Sequence, residues 1–207
     1  MDSELIKNSK QLLIVNIAKD DITMDIYEDG ELVRKVPDVW IGQTGCIDGD
    51  KIIDFDLKTP LGFYNLGVGF GMKDMDIDYP YIKVQDNDYW VDDYKSHHYN
   101  YMVRVGEDIP DFGYHYIVRE DEKSFDSAEH LRDYEMQYEY AVFIEFNSDN
   151  QIDENGVGNN KGSAIFLHCH GTKGYTGGCV AVNREDMEFI MRFLKRDKNP
   201  KILIREI

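Results

Sequence analysis

Apolar and polar positions in the first half of the chain alternate with the short period of β-strands. Residues 11–18 (QLLIVNIA) and 22–27 (ITMDIY) flank a polar break at 19–21, and Asp29-Gly30 then separates 22–27 from 31–36. An Asp-Gly pair between two apolar runs predicts a hairpin with a type I′ turn. Gly42, Gly45 and Gly49 mark strand ends and loops across 39–54. Gly62, Gly67, Gly69 and Gly71 punctuate 63–70, which predicts a twisted, bulged strand or a loop beside a cleft. Short strands are predicted at 79–84 and 89–91, and a central one at 140–146 (YAVFIEF), rich in β-branched and aromatic residues.

The period lengthens in two places. Residues 127–137 (SAEHLRDYEMQ) combine good helix formers with a capping Ser127 and no Pro or Gly, predicting a helix. Farther on, Asn183 stands as an N-cap before Glu185 and Asp186, whose charges suit the positive end of a helix dipole. Met187, Ile190, Met191 and Leu194 follow at i, i+3, i+4 and i+7, an apolar helix face. Asn199-Pro200 closes that helix, and 201–207 reads as a last strand. No internal repeat recurs. The fold class is mainly β with one or two packed helices, and 207 residues with 42% hydrophobic content suffice for one substantial core.

A net charge of −17 excludes nucleic acid as a partner, since phosphate binding needs clustered Lys and Arg, and it disfavours anionic membranes. The acidic runs at 74–78 (DMDID) and 149–154 (DNQIDE) lack the spacing of a calcium loop. Cys46, Cys169 and Cys179 are an odd number, so at least one thiol is free or paired between chains.

Residues 162–182 (GSAIFLHCHGTKGYTGGCVAV) carry the candidate chemistry. A strand at 164–167 delivers His168 and His170, which alternation places on one face with Cys169 on the other. A glycine-rich loop then presents Cys179. A thiol and an imidazole brought together in this way are the parts of a nucleophile that attacks carbonyls. Gly177 and Gly178 permit a sharp turn and leave amide N–H groups clear of side chains, as an oxyanion hole requires. His168, His170 and Cys179 would also suit zinc but lack a fourth ligand, so the site is read as metal-free and without a cofactor.

This segment resembles the L,D-transpeptidase catalytic domain (YkuD-like) family, whose signature is a strand-borne His, a gap, then Ser or Thr, a variable residue, Gly and Cys. His168, Thr176, Gly177, Gly178 and Cys179 occupy those positions. The resemblance extends to Thr59-Pro60-Leu61-Gly62, similar to the family's substrate-cleft segment, and to Trp90-Val91-Asp92-Asp93, Tyr99-Asn100 and Tyr138-Glu139-Tyr140-Ala141 in the same order. It implies an L,D-transpeptidase-like β-sandwich of mixed sheets, with residues 1–11 as an N-terminal extension and 12–207 as the catalytic domain. Two positions depart from the pattern: Gly177 stands where many members have a second His, and Ala181 where many have an Arg.

The resemblance implies a peptidoglycan L,D-transpeptidase. Cys179 would cleave the bond between the third residue and D-alanine of a stem tetrapeptide through a thioester, and an amine of a second stem would complete a 3→3 cross-link. His168 or His170 would be the base; the strand pattern favours His168, whereas His170-Gly171-Thr172 mimics the His-Gly-Thr of other branches. Thr176, Gly177 and Gly178 would form the substrate and oxyanion loop. The alternatives are an L,D-carboxypeptidase, a hydrolase of existing cross-links, and a wall-binding module without turnover. The expected partner is a peptidoglycan stem peptide, and the expected location is the cell wall or extracellular face of a bacterium. The first residues show no secretion signal and no run approaches membrane-spanning length, so a piece of a longer secreted chain is expected, with a cytoplasmic homologue as the alternative.

Overall fold

The computed structural model describes residues 2–19, 21–149 and 151–207. Met1, Asp20 and Asn150 lie outside the described residues, and with them one position each of the N-terminal extension, the first polar break and the 149–154 acidic run.

A short helix, α1 (Asp2–Asn8), leads into a meander of β1 (Gln11–Ile17), β2 (Ile22–Glu28) and β3 (Glu31–Val36). Asp29 and Gly30 both take positive φ, 48° and 88°, as a type I′ turn demands. The chain continues through β4 (Cys46–Asp48), β5 (Thr59–Gly71), β6 (Tyr81–Lys83), β7 (Asp88–Val91), β8 (Met102–Val105), β9 (Ile117–Glu120) and β10 (Ala128–His130). It ends with β11 (Ala141–Ile144), β12 (Phe166–Cys169), β13 (Val180–Val182), α2 (Arg184–Phe193) and β14 (Lys201–Glu206). The larger sheet has the order β13-β12-β11-β5-β14-β1-β2-β3, with β4 and β6 also paired to β5; the smaller has the order β10-β7-β8-β9. Both mix parallel and antiparallel pairs. The protein is mainly β, with two mixed sheets and few helices.

The 13-residue β5 is the organising strand, reaching β14 at its start and β11 and β6 at its end. Its glycines admit close neighbours: a Cβ on Gly69 would lie 2.5 Å from Cε of Met191 in α2.

Alternation along β11 and β12 divides the core. Val142, Ile144, Leu167 and Cys169 face one apolar layer, shared with Met187, Ile190, Met191 and Leu194. Met187, Ile190 and Met191 of α2 and Leu194 at its C-cap are fully buried, each worth roughly 2 kcal/mol of transfer from water. Asn183 caps α2, its Oδ1 accepting the Asp186 N–H at 2.9 Å. Ala141, Phe143 and Phe166 face the opposite layer with Phe70, Trp90 and Tyr138, an aromatic core beneath the smaller sheet. Cys179 belongs to this second layer.

The helix expected at 127–137 does not form. Residues 128–130 extend as β10 against Tyr89, Trp90 and Val91 of β7, and Leu131–Tyr134 and Gln137–Glu139 make only short 3₁₀ turns. Tertiary pairing overrides local propensity here: Leu131 and Tyr138 are buried in the aromatic core, and one continuous helix would not deliver both there along with the β7 pairing.

Candidate active site

β12 and β13 run parallel, Leu167 beside Val180 and His168 beside Ala181, so the chain between them arches over the end of the sheet and returns at Cys179. The arch is held at several points. Thr176 N–H donates to Ile41 O at 2.9 Å, and Thr176 O accepts the Gln43 N–H at 3.0 Å. Thr176 Oγ1 donates to Cys179 O at 2.6 Å and accepts the Gly178 N–H at 3.1 Å. Thr59 Oγ1 donates to the same Cys179 carbonyl at 3.3 Å while accepting the Gly42 N–H at 2.8 Å. The buried Thr59 therefore braces the cysteine from behind, a role its resemblance to a cleft segment did not suggest. Gly178 sits at φ 141°, where a Cβ would lie 2.9 Å from Lys58 O; around Gly177 there is open space.

The thiol is almost fully enclosed, with Cys179 8% exposed. Its Sγ accepts the Phe166 N–H at 3.3 Å and donates to Ala164 O at 3.3 Å. Burial, with a further contribution from the Glu129 charge, pushes the thiol up to about 12. His168 is buried too, and its Nδ1 lies 2.7 Å from Cys169 O. That carbonyl can only accept, so Nδ1 carries the proton and Nε2 keeps a free lone pair. Burial, and then His170, push the imidazole down to about 4, so His168 is neutral at ordinary pH.

Cys179 and His168 line one cavity of about 490 Å³, together with Thr176 and Gly177. Gly178 is not among its lining residues, and its N–H is already taken by Thr176. His170 also lies outside the lining: β12 ends at Cys169, and the His170 ring stacks on Trp40 at 3.8 Å between centroids, 6° from parallel. Trp40 itself lines the cavity, so His170 backs one wall of it. Arg184, near in sequence to the position where the family has an Arg, pairs with Glu139 at 2.9 Å and Glu188 at 3.2 Å and does not line the cavity. Among the described residues no three His, Cys, Asp or Glu side chains gather as metal ligands.

The remaining walls come from elements that sequence reasoning had not joined to the cysteine. Tyr138 presents its ring edge-on to His168 at 5.6 Å, and its hydroxyl donates to Glu129 Oε2 at 2.5 Å. Both line the cavity, as do Asp92 and Asp54. Of the Trp90-Val91-Asp92-Asp93 and Tyr99-Asn100 motifs that carry the resemblance, Asp92 reaches the cavity, whereas Trp90, Tyr99 and Asn100 are fully buried behind it. The mouth carries Phe55 and Leu57, exposed and at φ 64° and 59°. A carbonyl entering such a cavity would meet a thiol, a neutral imidazole with a free nitrogen, and unbranched backbone at Gly177.

A sequence model described as the L,D-transpeptidase catalytic domain (YkuD) matches residues 10–204. No curated relative matches. Among solved structures, the chain is similar to the helical cell shape determining protein Pgp2 from Campylobacter jejuni, at 17% identity and a TM-score of 0.43, covering 98% of this chain and 53% of that one. It is also similar to an L,D-transpeptidase from Mycobacterium smegmatis, at 13% identity and a TM-score of 0.39, covering 95% of this chain and 59% of that one. The chain thus spans between half and three fifths of the length of these two. No helix among the described residues is long and apolar enough to cross a membrane.

Proposed function

We propose, on the premise that the chain belongs to the YkuD family of L,D-transpeptidase catalytic domains, that it is a cysteine-dependent L,D-transpeptidase of peptidoglycan, acting in the cell wall or on the extracellular face of a bacterium. The observation that carries this reading is that Cys179 and His168, one neutral thiol and one neutral imidazole, line the same cavity.

The donor is a stem tetrapeptide whose third-residue carbonyl is joined to D-alanine. With the thiol pushed up to about 12 and the imidazole down to about 4, a preformed thiolate–imidazolium pair is strongly disfavoured. His168 therefore acts as a general base during attack. The S–H leaves the Ala164 carbonyl, gives its proton to His168 Nε2, and sulfur bonds to the carbonyl carbon. The N–H groups of Gly177 and Cys179 take the developing oxyanion, since that of Gly178 is engaged by Thr176. His168 then protonates the departing D-alanine amine, leaving a thioester on Cys179. The side-chain amine of a second stem takes the acyl group and forms the 3→3 cross-link. His170 supports Trp40 rather than moving protons.

Intact-protein mass after incubation with a carbapenem tests the nucleophile. A single adduct on the parent that is missing from Cys179→Ala is expected; an unmodified, folded parent would overturn the assignment. Incubation with tetrapeptide stems then separates the outcomes, because cross-linked dimers mark a transpeptidase and tripeptides alone mark an L,D-carboxypeptidase.

A further inference from the structure

Glu129 sets a puzzle for the reaction above. Its charge opposes ionisation of Cys179, and so works against the first half of the chemistry. The Tyr138 hydroxyl it accepts at 2.5 Å would be satisfied equally by a neutral oxygen, so that hydrogen bond explains the position of Glu129 and not its charge. Asp92 lines the same cavity and has a buried Oδ1 without a hydrogen-bond partner among the described residues. Asp54 adds a third carboxyl, and the lining contains one cation among the described residues, Lys173. Grouping carboxylates beside a nucleophile costs free energy unless a positive group of the substrate arrives to offset it.

The two half-reactions differ in just this respect. Acylation begins from a neutral thiol and a neutral amide. Transfer to an amine begins from an ammonium ion, which must be held close to the thioester and must lose a proton before nitrogen can attack. His168 is neutral after acylation and can accept one proton, but an ammonium that becomes an amide sheds two, and the thiolate recovers only one.

We propose that Glu129 is a catalytic residue of the second half-reaction, its carboxylate pairing with the ammonium of the acyl acceptor and taking the first proton from it. This rests on the transpeptidase reading and assigns the step that separates transfer from hydrolysis. Glu129 Oε2 is fixed by Tyr138, and the carboxylate lines the cavity, which leaves Oε1 for the ammonium. The ammonium gives one proton to Glu129, and the free amine attacks the thioester carbon. The second nitrogen proton passes to His168 as the tetrahedral intermediate collapses. The C–S bond breaks, and Cys179 leaves as thiolate and recovers that proton from His168. One amide and one thiol result, with one proton on Glu129 to return to solvent. Burial holds the Glu129 carboxyl up at about 7, so it can both accept and release a proton near neutrality.

The test is the partition of a preformed acyl-enzyme between an amine acceptor and water, in the parent and in Glu129→Gln. The glutamine carbonyl still accepts the Tyr138 hydroxyl, and a carbapenem adduct on the variant verifies a folded site. The expected result is a cross-link-to-hydrolysis ratio lowered on the order of 10²-fold in the variant while thioester formation persists. A second measurement needs no variant: an acceptor whose side-chain amine is replaced by a trimethylammonium should suppress transfer more than hydrolysis in the parent. An adduct in both proteins with an unchanged ratio, or equal suppression of both reactions, would overturn the role of Glu129 alone. No adduct on the parent would overturn the transpeptidase reading and this step with it.

Discussion

The side-chain oxygen of Asn100 accepts the backbone N–H of Ala164 at 3.0 Å, and Ala164 presents the carbonyl that receives the Cys179 thiol. Ala164 is buried at φ 53°, a conformation an L-residue holds only under constraint. Asn100 Oδ1 holds the Ala164 amide, and the rest of its side chain is engaged as well. Oδ1 also accepts the Trp90 indole N–H at 2.9 Å, and Nδ2 donates to Phe146 O at 3.1 Å and Asn147 O at 2.9 Å.

Removing that amide strands three buried groups, the Trp90 indole N–H, the Ala164 N–H and the Phe146 carbonyl, together with the half-buried Asn147 carbonyl. Asn100→Ala is expected to destabilise the fold by about 3 kcal/mol and to slow carbapenem acylation in the fraction that remains folded. Asn100→Asp keeps the acceptor but sets an oxygen against the Phe146 and Asn147 carbonyls, so its loss should be of similar size. Urea denaturation followed by time-resolved adduct formation checks both.

The two glycines before the nucleophile should differ in their tolerance of a side chain. Gly178→Ala places a Cβ 2.9 Å from Lys58 O on backbone at φ 141°, and should cost about 1–3 kcal/mol and distort the cysteine loop. Gly177→Ala meets nothing within 4 Å and should leave stability within about 0.5 kcal/mol. Thermal unfolding of the pair reads the contrast directly.

Stability against pH should expose Glu129 and His168 as opposing contributions. The folded Glu129 carboxyl, at about 7 against a usual 4.5, holds a proton the unfolded chain has released, so its contribution to stability falls as pH rises from 4.5 to 7. His168, at about 4 against a usual 6.5, stays neutral where the unfolded chain takes up a proton, so its contribution falls as pH drops from 6.5 to 4. Each change amounts to about 3 kcal/mol, and between pH 4.5 and 6.5 they cancel. Glu129→Gln removes one of them, so its stability relative to the parent should climb by that amount from pH 4.5 to 7 in urea titrations.

Activity should titrate in two places. Acylation needs neutral His168, so its rate should hold well below pH 6.5 and fall only as pH drops through about 4. The share of acyl-enzyme passed to an amine needs ionised Glu129 and should rise through about pH 7. Rates of adduct formation and product ratios across that range measure the two separately.

What was legible in the sequence was what short-range chemistry decides. The β2–β3 hairpin follows from Asp29-Gly30, and α2 follows from the Asn183 cap and an apolar face that is wholly buried. Cys179 and His168 could be marked as partners from their motif, and they do line one cavity. His170 was harder, because alternation puts it beside His168 only while the strand lasts, and β12 stops one residue earlier. Of the acidic wall, Asp92 stands in a motif the sequence marked, whereas Glu129 was out of reach. Glu129 arrives on a strand of the other sheet, within a segment whose composition favours helix, and only pairing with β7 brings it to the cavity.

Phe55 and Leu57, at the mouth of that cavity, are bulky residues in left-handed backbone, where each costs about 1 kcal/mol over glycine, and both expose apolar surface to water. A chain selected for durability alone would place Gly or Asn at these positions. This short loop beside the cavity therefore carries a conformational cost that the rest of the fold must offset.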